Sequence, residues 1–389
     1  MPVINRIADY FDDMKAWRRH LHAHPELDFD MVETAKFVVE KLREFGVEQI
    51  ETGIGKSGVV GIIKGNGGDG PVIGLRADMD ALPITEVRDL LYKSTNEGVM
   101  HACGHDGHTT MLLGAARYLA ETRNFSGSVA VVFQPAEEGG GGGRAMCEDG
   151  MMDRFEIEQI YAVHNWPNAD VGRIETRPGP IMAAADTFDV TVRGKGSHAA
   201  MPHHSIDPVL VAVQIVQGFQ AIKSRMTDPL DNLVISVTQI HTGTASNIVP
   251  EDAYINGTVR TLKPGLNKEV HAQLKLIAEQ TAAAFGATAD FSFDYGYPVT
   301  VNDPEAAAFA SAVAAEIVGA DMSAGTRDPV MGSEDFSFML EERKGAYLFL
   351  GQGNSAGLHH PEYDFNDDVS PIGASFFARI VETAQPAKS

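Results

Sequence analysis

The stretch Met100-His101-Ala102-Cys103-Gly104-His105-Asp106-Gly107-His108-Thr109 gathers three histidines, an aspartate and one of the two cysteines of the chain. Cys103 and His105 are two positions apart, so in an extended or turn backbone their side chains leave on the same side. A thiolate beside a neutral imidazole is typical of metal ligands. Taken alone, the stretch also fits the N-terminus of a helix with incidental histidines, because the apolar run 111–116 follows it.

Acids and histidines also follow four continuous apolar runs of the chain, namely 72–77, 129–133, 160–163 and 347–350. Continuous rather than alternating apolar runs indicate strands buried on both faces, as in an α/β sheet. Ligands of such sheets bind beyond the carboxyl ends of the strands. The sequence therefore predicts a functional site formed by the residues after these runs, which are Asp78, Asp80, Glu137, Glu138, His164 and His359.

The middle of the chain has a different pattern. Residues 187–193 alternate between polar and apolar, as a half-exposed antiparallel strand does, and further strand-like and helix-like segments follow in the order β-α-β-β-α-β. This order is ferredoxin-like. A chain of 389 residues also exceeds the usual size of a single core. We predict an inserted α+β domain at 184–297, and an α/β catalytic domain formed by 1–183 and 298–389.

Charge and cysteine usage limit the classes of partner. With 31 basic and 53 acidic residues the formal net charge is −22, which argues against nucleic acid and against anionic membranes as partners. Two cysteines, Cys103 and Cys147, make no disulfide framework and suit a reducing, cytoplasmic location. Residues 1–20 lack the apolar core of a signal peptide, and no apolar run reaches the roughly 18 residues of a membrane-spanning helix.

The residues after the strands could hold two divalent metal ions. Three of them, together with Cys103 and His105, would act as protein ligands and leave positions for water and substrate, so that the ligand set is Cys103, His105, Glu138, His164 and His359. One thiolate and one carboxylate do not neutralise two divalent cations, so the site would attract a substrate carboxylate. Neighbouring side chains on an extended segment point opposite ways, so one residue of the Glu137-Glu138 pair can bind metal while the other is the general base for a metal-activated water.

Eight short motifs carry a resemblance that extends in order over nearly the whole chain. They are Arg19-His20-Leu21-His22-Ala23-His24-Pro25-Glu26-Leu27, Arg76-Ala77-Asp78-Met79-Asp80-Ala81-Leu82-Pro83, Met100-His101-Ala102-Cys103-Gly104-His105-Asp106, Gln134-Pro135-Ala136-Glu137-Glu138-Gly139, Ser197-His198-Ala199-Ala200-Met201-Pro202, Asn247-Ile248-Val249-Pro250, Met331-Gly332-Ser333-Glu334-Asp335-Phe336 and His359-His360-Pro361. The chain resembles the M20 metallopeptidase and amidohydrolase family. Within that family it is similar to hippurate hydrolases, bacterial N-acyl-amino-acid amidohydrolases and plant auxin-conjugate hydrolases.

The resemblance implies a zinc-peptidase-like catalytic domain with a mixed sheet and two divalent metals, either zinc or manganese, with nickel or cobalt as further options. It implies that Cys103 bridges the metals, that Glu137 is the general base, and that Asp80 orients a metal-bound histidine. Of the adjacent histidines, the family pattern His-x-Pro selects His359, although His360 could also serve.

The same resemblance makes residues 184–297 a lid or dimerisation domain, in a homodimer or a dimer-based tetramer. It implies that His198 donates to the developing oxyanion, often from the partner subunit. Asn247 and Arg260, 13 positions apart, would lie near the substrate carboxylate, with Gly332 also at the substrate. Arg260 alone would equally fit a surface arginine, and His20, His22 and His24 fit a helix end with no chemical role.

The implied activity is cleavage of N-acyl-L-amino acids, such as hippurate or N-acetyl-amino acids, to a carboxylic acid and a free amino acid. A dipeptidase and an N-acetyl-diaminopimelate-type deacetylase are alternatives that would use the same dimetal site. A metal-free binding or regulatory relative is a third alternative, against which the retained Cys103, Glu137 and Glu138 argue.

Overall fold

A computed structural model of the protein describes residues 3–387, which divide into two compact units. The larger unit is formed by the chain up to Ile181, by Thr300–Asp328 and by the chain from Asp335 onward. The smaller unit comprises Met182–Val299 and Pro329–Glu334. The ends of the predicted catalytic domain, 1–2 and 388–389, lie outside the described residues.

Within residues 3–387 the strands are β1 (Gln49–Ile54), β2 (Gly58–Lys64), β3 (Val72–Asp78), β4 (Ser128–Gln134), β5 (Ile157–Trp166), β6 (Ile174–Glu175), β7 (Gly179–Met182), β8 (Ala184–Arg193), β9 (Ser197–His198), β10 (Leu233–Thr242), β11 (Ile248–Val249), β12 (Asp252–Thr261), β13 (Thr288–Tyr297), β14 (Thr300–Asn302), β15 (Ser323–Ala324) and β16 (Lys344–Gly351). The α-helices are α1 (Asn5–Ala8), α2 (Phe11–Ala23), α3 (Val32–Glu44), α4 (His105–Thr122), α5 (Gly142–Glu148), α6 (Met151–Arg154), α7 (Pro208–Ala221), α8 (Leu266–Ala284), α9 (Pro304–Val318), α10 (Phe336–Glu342) and α11 (Ser370–Ala384).

The larger unit contains an eight-stranded mixed sheet in the order β1-β2-β4-β3-β5-β16-β6-β15. Its four central strands, β4, β3, β5 and β16, are parallel to one another, so their carboxyl ends share one edge. They are buried almost throughout, because α4 packs among the core residues and the apolar runs predicted from the sequence fill both faces. The predicted α/β fold with a mixed sheet is confirmed.

The smaller unit contains a four-stranded antiparallel sheet in the order β10-β12-β8-β13, with α7 and α8 packed against it. The chain order β8-α7-β10-β12-α8-β13 is the predicted ferredoxin-like one. Helix α7 begins where the sequence supplies both start signals: Pro208 is its first residue, and the Asp207 carboxylate accepts the Val209 N–H at 2.9 Å.

The helices of the larger unit differ from the sequence pattern in two places. The spacing of apolar residues from Ile4 to Leu21 predicts one amphipathic helix, but this segment forms α1 and α2, because the backbone tightens into a turn in which the Tyr10 N–H donates to the Ile7 carbonyl at 3.0 Å. Helices α9 and α11 were not foreseen. The start of α9 was readable, since Asp303 caps it and Pro304 opens it.

No helix within residues 3–387 is both long and apolar enough to cross a membrane.

The glycine run 139–143 turns the chain back tightly after β4. A Cβ on Gly142 would lie 1.7 Å from the Pro135 carbonyl oxygen, so only glycine fits there. Gly139, in the same run, has no heavy atom within 4 Å of such a Cβ. Gly142 and Pro135 therefore come close together and close the loop that carries Glu137 and Glu138.

Gly142→Ala should lower the free energy of unfolding by about 2 kcal/mol or more, because the added methyl group must displace the Pro135 carbonyl. Gly139→Ala is the matched control and should stay within about 0.5 kcal/mol of the wild type. Urea unfolding of both variants checks the prediction, and equal stabilities would contradict it.

Candidate metal centre

The turn before α4 presents two side chains into the buried edge of the sheet. Gly104 has a φ of 94°, and a Cβ on it would lie 2.3 Å from Asn165 Oδ1, so the turn requires glycine. Cys103 and His105 flank this glycine and are 7% and 0% exposed. A helix does begin at His105, but the histidine and the cysteine beside it face other donor groups rather than solvent.

Two groups of three donor atoms overlap at one sulfur atom. The donor atoms of Cys103, His105 and His164 lie within 4.8 Å of one another, and so do those of Cys103, Glu138 and His359. A third group joins His105, Glu137 and Glu138. The structure thus brings together all five predicted ligands and the predicted base, with Cys103 common to the two groups.

The spacing of these atoms fits ligands of common cations. Cys103 Sγ lies 3.4 Å from His164 Nε2, close to the about 3.6 Å expected for a sulfur and a nitrogen on one tetrahedral zinc ion. Glu138 Oε1 lies 3.2 Å from His359 Nε2, close to the about 3.4 Å expected for an oxygen and a nitrogen ligand. His359 rather than His360 reaches the cluster, since His360 Nδ1 accepts the Glu362 N–H at 3.1 Å.

Two residues of the site have unusual backbone conformations. Ala136, directly before the glutamate pair, has a φ of 54°, and His359 has a φ of 63°. Such values are costly for residues other than glycine and persist only where the surroundings impose them. The His359 N–H donates to the Ala102 carbonyl at 2.8 Å, which ties this histidine to the turn that carries Cys103.

The charges of the site call for a cation. Burial opposes a charged imidazole at His105, yet the negative charges of Asp78, Asp80 and Glu138 outweigh it and raise the pKa of His105 to about 10. His105 Nε2 is nevertheless buried without a hydrogen-bond partner among the described residues. Burial, with the charges of Glu138 and Glu137, also raises the pKa of the Cys103 thiol. A bound cation would give His105 Nε2 a partner, stabilise the thiolate and offset the carboxylates.

Asp80 connects two of the candidate ligands. Its Oδ1 lies 3.2 Å from His105 Nδ1, and its Oδ2 accepts the Glu138 N–H at 2.9 Å. A carboxylate on Nδ1 leaves Nε2 as the atom that faces the cluster. The contact predicted between Asp80 and a ligand histidine is therefore present in the structure.

The sequence did not reveal a second buried chain of contacts. His108 Nδ1 lies 2.6 Å from Asp78 Oδ1, and its Nε2 lies 2.7 Å from Asn165 Oδ1. Asp78 also accepts from Arg76 Nη1 at 2.7 Å. The sequence places Asp78 among the strand-end residues of the predicted site without giving it a partner, and it does not single out Asn165. The available signal was the position of Asn165, directly after His164 on a strand buried on both faces.

The candidate residues of the smaller unit fall into two places. The β9–β11 ladder pairs His198 with Ile248, and Asn247 accepts the Ala199 N–H on its carbonyl at 3.0 Å, so His198 and Asn247 lie side by side. They lie next to the end of the four-stranded sheet where Arg193 faces Asp252.

Arg260 faces Ala185 at the opposite end of that sheet. Arg260 lies eight positions after Asp252 on β12, which is about 26 Å at the usual rise per residue. Arg260 is half-buried, and its guanidinium bonds to the Val259 carbonyl at 3.2 Å and to Thr258. Gly332 pairs with Ala183, whose N–H donates to the Gly332 carbonyl at 2.8 Å.

A sulfur, imidazole and carboxylate cluster at the carboxyl edge of an α/β sheet, with further acids beside it, defines a metal-dependent hydrolase. Residues 74–383 match the model of peptidase family M20/M25/M40. The chain belongs to this family, as its motifs predicted.

Known relatives agree over almost the full length. The chain is 42% identical to a hippurate hydrolase of Campylobacter jejuni, covering 98% of each protein, and 38% identical to thermostable carboxypeptidase 2 of Saccharolobus solfataricus, covering 96% of this chain and 97% of that protein. Its structure is similar to that of a dinuclear metal-binding peptidase of the M20 family from Bacillus subtilis, with a TM-score of 0.86, 34% identity, and coverage of 98% of this chain and 100% of that one. The protein is an enzyme of this family that uses divalent metal ions.

Asp80→Asn should lower the affinity for divalent metal by about 10- to 100-fold, because an amide cannot accept from both His105 and the Glu138 N–H. Calorimetric titration of the metal-free protein with Zn²⁺ measures this loss. Asp186→Asn, an equally buried acid of the smaller unit, is the control and should keep the wild-type affinity. Equal affinities for all three proteins would contradict the prediction.

Proposed function

We propose that the protein is a metal-dependent amidohydrolase that cleaves N-acyl-L-amino acids, such as hippurate or N-acetyl-amino acids, to a carboxylic acid and a free amino acid. The observation that carries the proposal is the pair of donor groups that share Cys103, one buried group with His105 and His164 and one with Glu138 and His359. Similarity to a hippurate hydrolase over 98% of the chain favours amide bonds next to an amino-acid carboxylate as the substrate class.

The donor set suits two divalent metals, which Cys103, His105, Glu138, His164 and His359 would hold. When bound, such metals polarise a carbonyl group and lower the pKa of water. The chain itself supplies the ligands, keeps them in place through Asp80, and excludes bulk water by burying Cys103 and His164. Softness of the thiolate favours zinc, and manganese, nickel or cobalt would also suit the histidine and carboxylate ligands.

Glu137 is the general base in this proposal. It is 7% exposed, and its carboxylate lies within 4.8 Å of the donor atoms of His105 and Glu138. A carboxylate in this position can accept a proton from the attacking water and return it to the leaving nitrogen. Glu138 on the next position faces His359 at 3.2 Å, so the two glutamates are placed for different tasks.

Chelation should abolish hydrolysis of hippurate and N-acetyl-amino acids, and added Zn²⁺ or Mn²⁺ should restore it. Glu137→Gln should lower kcat by about 10²- to 10⁴-fold while the protein keeps its metal, because the amide cannot accept the proton. Metal content and steady-state kinetics check both statements. Full turnover by Glu137→Gln would remove Glu137 from its role, and activity that survives complete metal removal would refute the metal-dependent mechanism.

A peptide substrate is a second candidate, favoured by the similarity to a carboxypeptidase at 38% identity. A carboxypeptidase and an N-acyl-amino-acid hydrolase both cleave an amide whose nitrogen belongs to an amino acid with a free carboxylate. Comparison of kcat/KM for acetyl-, benzoyl- and indoleacetyl-amino acids with kcat/KM for dipeptides distinguishes the two.

The two free cysteines among the described residues, both buried, support the cytoplasmic location proposed for the enzyme.

The smaller unit is proposed as a lid and dimerisation domain, with the small-molecule substrate as partner and a homodimer or dimer-based tetramer as the assembly. Within one chain His198 and Asn247 lie at the end of the sheet opposite to Arg260. The two ends are separated by the about 26 Å length of β12, and one N-acyl-amino acid is too short to reach both. We infer that His198 and Arg260 of the same chain serve different active sites, with His198 donating to the oxyanion in the partner subunit.

Mixing of two inactive variants tests this arrangement. His198→Ala mixed with Glu137→Gln should recover about a quarter of the wild-type activity after exchange of subunits, because half of the dimers would be mixed and each would hold one complete site. Light scattering gives the oligomeric state, and each variant alone is the control. A mixture without recovered activity, or a monomer at working concentration, would contradict the proposal.

A further inference from the structure

The segment around Arg19-His20-Leu21-His22 has no part in the chemistry described above, yet the structure buries two of its charged side chains completely. Arg18 and His22 are both 0% exposed, and they are four residues apart on α2, so they share one face of the helix. His22 lies in the last turn of α2, as predicted, but it is buried there rather than exposed. Its ring lies inside a group of charged residues, here named the α2 charge cluster: Arg18, His22, Glu86, Asp106 and Asp364.

Asp106 is the closest partner of His22 in the cluster. His22 Nδ1 lies 2.8 Å from Asp106 Oδ2, and since an ionised carboxylate only accepts, Nδ1 carries the proton. His22 Nε2 lies 3.4 Å from Glu86 Oε1, which is a longer contact. Arg18 Nη1 lies 3.2 Å from Asp364 Oδ1 and 3.7 Å from Asp106 Oδ2.

Two of these partners, Asp106 and Asp364, lie in the segments that carry metal ligands, whereas Glu86 does not. Asp106 directly follows His105, and its Oδ1 accepts the Gly107 N–H at 2.9 Å, so this carboxylate is fixed to the first turn of α4. Asp364 follows His359 by five residues. The cluster therefore links α2 to the turn of Cys103 and His105 and to the segment of His359.

Stability alone does not account for such a cluster. Buried charges lose hydration that their pairing only roughly restores, and apolar side chains of similar size often stabilise a core as well or better. A role in fixing the position of α4 relative to α2 does account for this cluster. Hydrogen bonds to a carboxylate have a fixed direction, so they hold the start of α4 at one place relative to α2 more sharply than apolar contacts would.

We propose that His22 is a positioning residue for the metal centre: by donating from Nδ1 to Asp106 it sets the place of the turn that carries Cys103 and His105. The inference rests on the proposed dimetal function. In this proposal the position of the metal ligands depends on the contact between His22 and Asp106 and not on the contact between His22 and Glu86. The contact with Asp106 is the shorter one, and Asp106 lies next to a ligand.

Two amide substitutions separate the two contacts. In His22→Asn the amide nitrogen can occupy the place of Nδ1 and donate to Asp106, whereas in His22→Gln it reaches the place of Nε2 and donates to Glu86. Metal-free protein of each variant is titrated with Co²⁺, and both the affinity and the thiolate-to-cobalt absorption band are recorded. Glu86→Gln is the matched control, since it alters the contact that the proposal leaves without a role.

His22→Gln should bind Co²⁺ about 10- to 100-fold more weakly than the wild type, with a weaker or shifted thiolate band. His22→Asn should stay within about a factor of three of the wild type because its hydrogen bond to Asp106 is kept, and Glu86→Gln should do the same. Thermal unfolding of the metal-free variants should give similar midpoints for His22→Asn and His22→Gln.

Three results would overturn the proposal: wild-type affinity in His22→Gln, equal losses in His22→Asn and His22→Gln, or a loss in His22→Gln matched by a lower unfolding midpoint than that of His22→Asn. The titration uses no substrate. A wild-type protein that binds Co²⁺ but hydrolyses no N-acyl-amino acid would therefore refute the proposed function and leave the positioning role standing.

Discussion

Buried negative charge at the carboxyl edge of the sheet is the constraint on which the rest of the structure depends. Asp78, Asp80 and Glu138 lie around the buried His105. Burial lowers the pKa of this histidine, but the three negative charges outweigh it and raise the pKa to about 10. Such a group of carboxylates is costly to bury unless cations or hydrogen bonds compensate it. Arg76 compensates the negative charge of Asp78 on one side. On the other side the clustered donor atoms suit divalent metal ions, which would compensate the remaining carboxylates.

The fold serves this constraint by bringing distant residues to one edge. Four parallel strands end together, and two turns at this edge have backbone that few residues tolerate: Gly104, before α4, has a φ of 94°, and Ala136, after β4, has a φ of 54°. Close packing then leaves little freedom: a side chain on Gly142 would strike the Pro135 carbonyl. Rigid turns keep donor atoms at ligand distances, and this is what a catalytic site needs.

Charge compensation also extends behind the metal ligands. Asp80 holds His105, Asp78 holds His108, and His22 with Arg18 holds Asp106. Each of these acids is buried, and each has a partner that fixes its direction as well as its charge. The acidic surface, with a net charge of −22, contrasts with a site where bound cations would attract a substrate carboxylate, so the substrate preference follows from the local charge and not from the total.

The sequence by itself determined the α/β class, the ferredoxin-like order of the middle segment and the identity of the donor residues, because strand-end acids, histidines and one cysteine stand in local patterns that adjacent residues define. It could not show that His22 is buried against Asp106, or that His198, in the β9–β11 ladder, lies next to the end of the four-stranded sheet opposite to Arg260. Those relations join residues that are far apart in the chain. Only the packing of strands and helices decides such distances, since no local pattern records which distant side chains share a buried space.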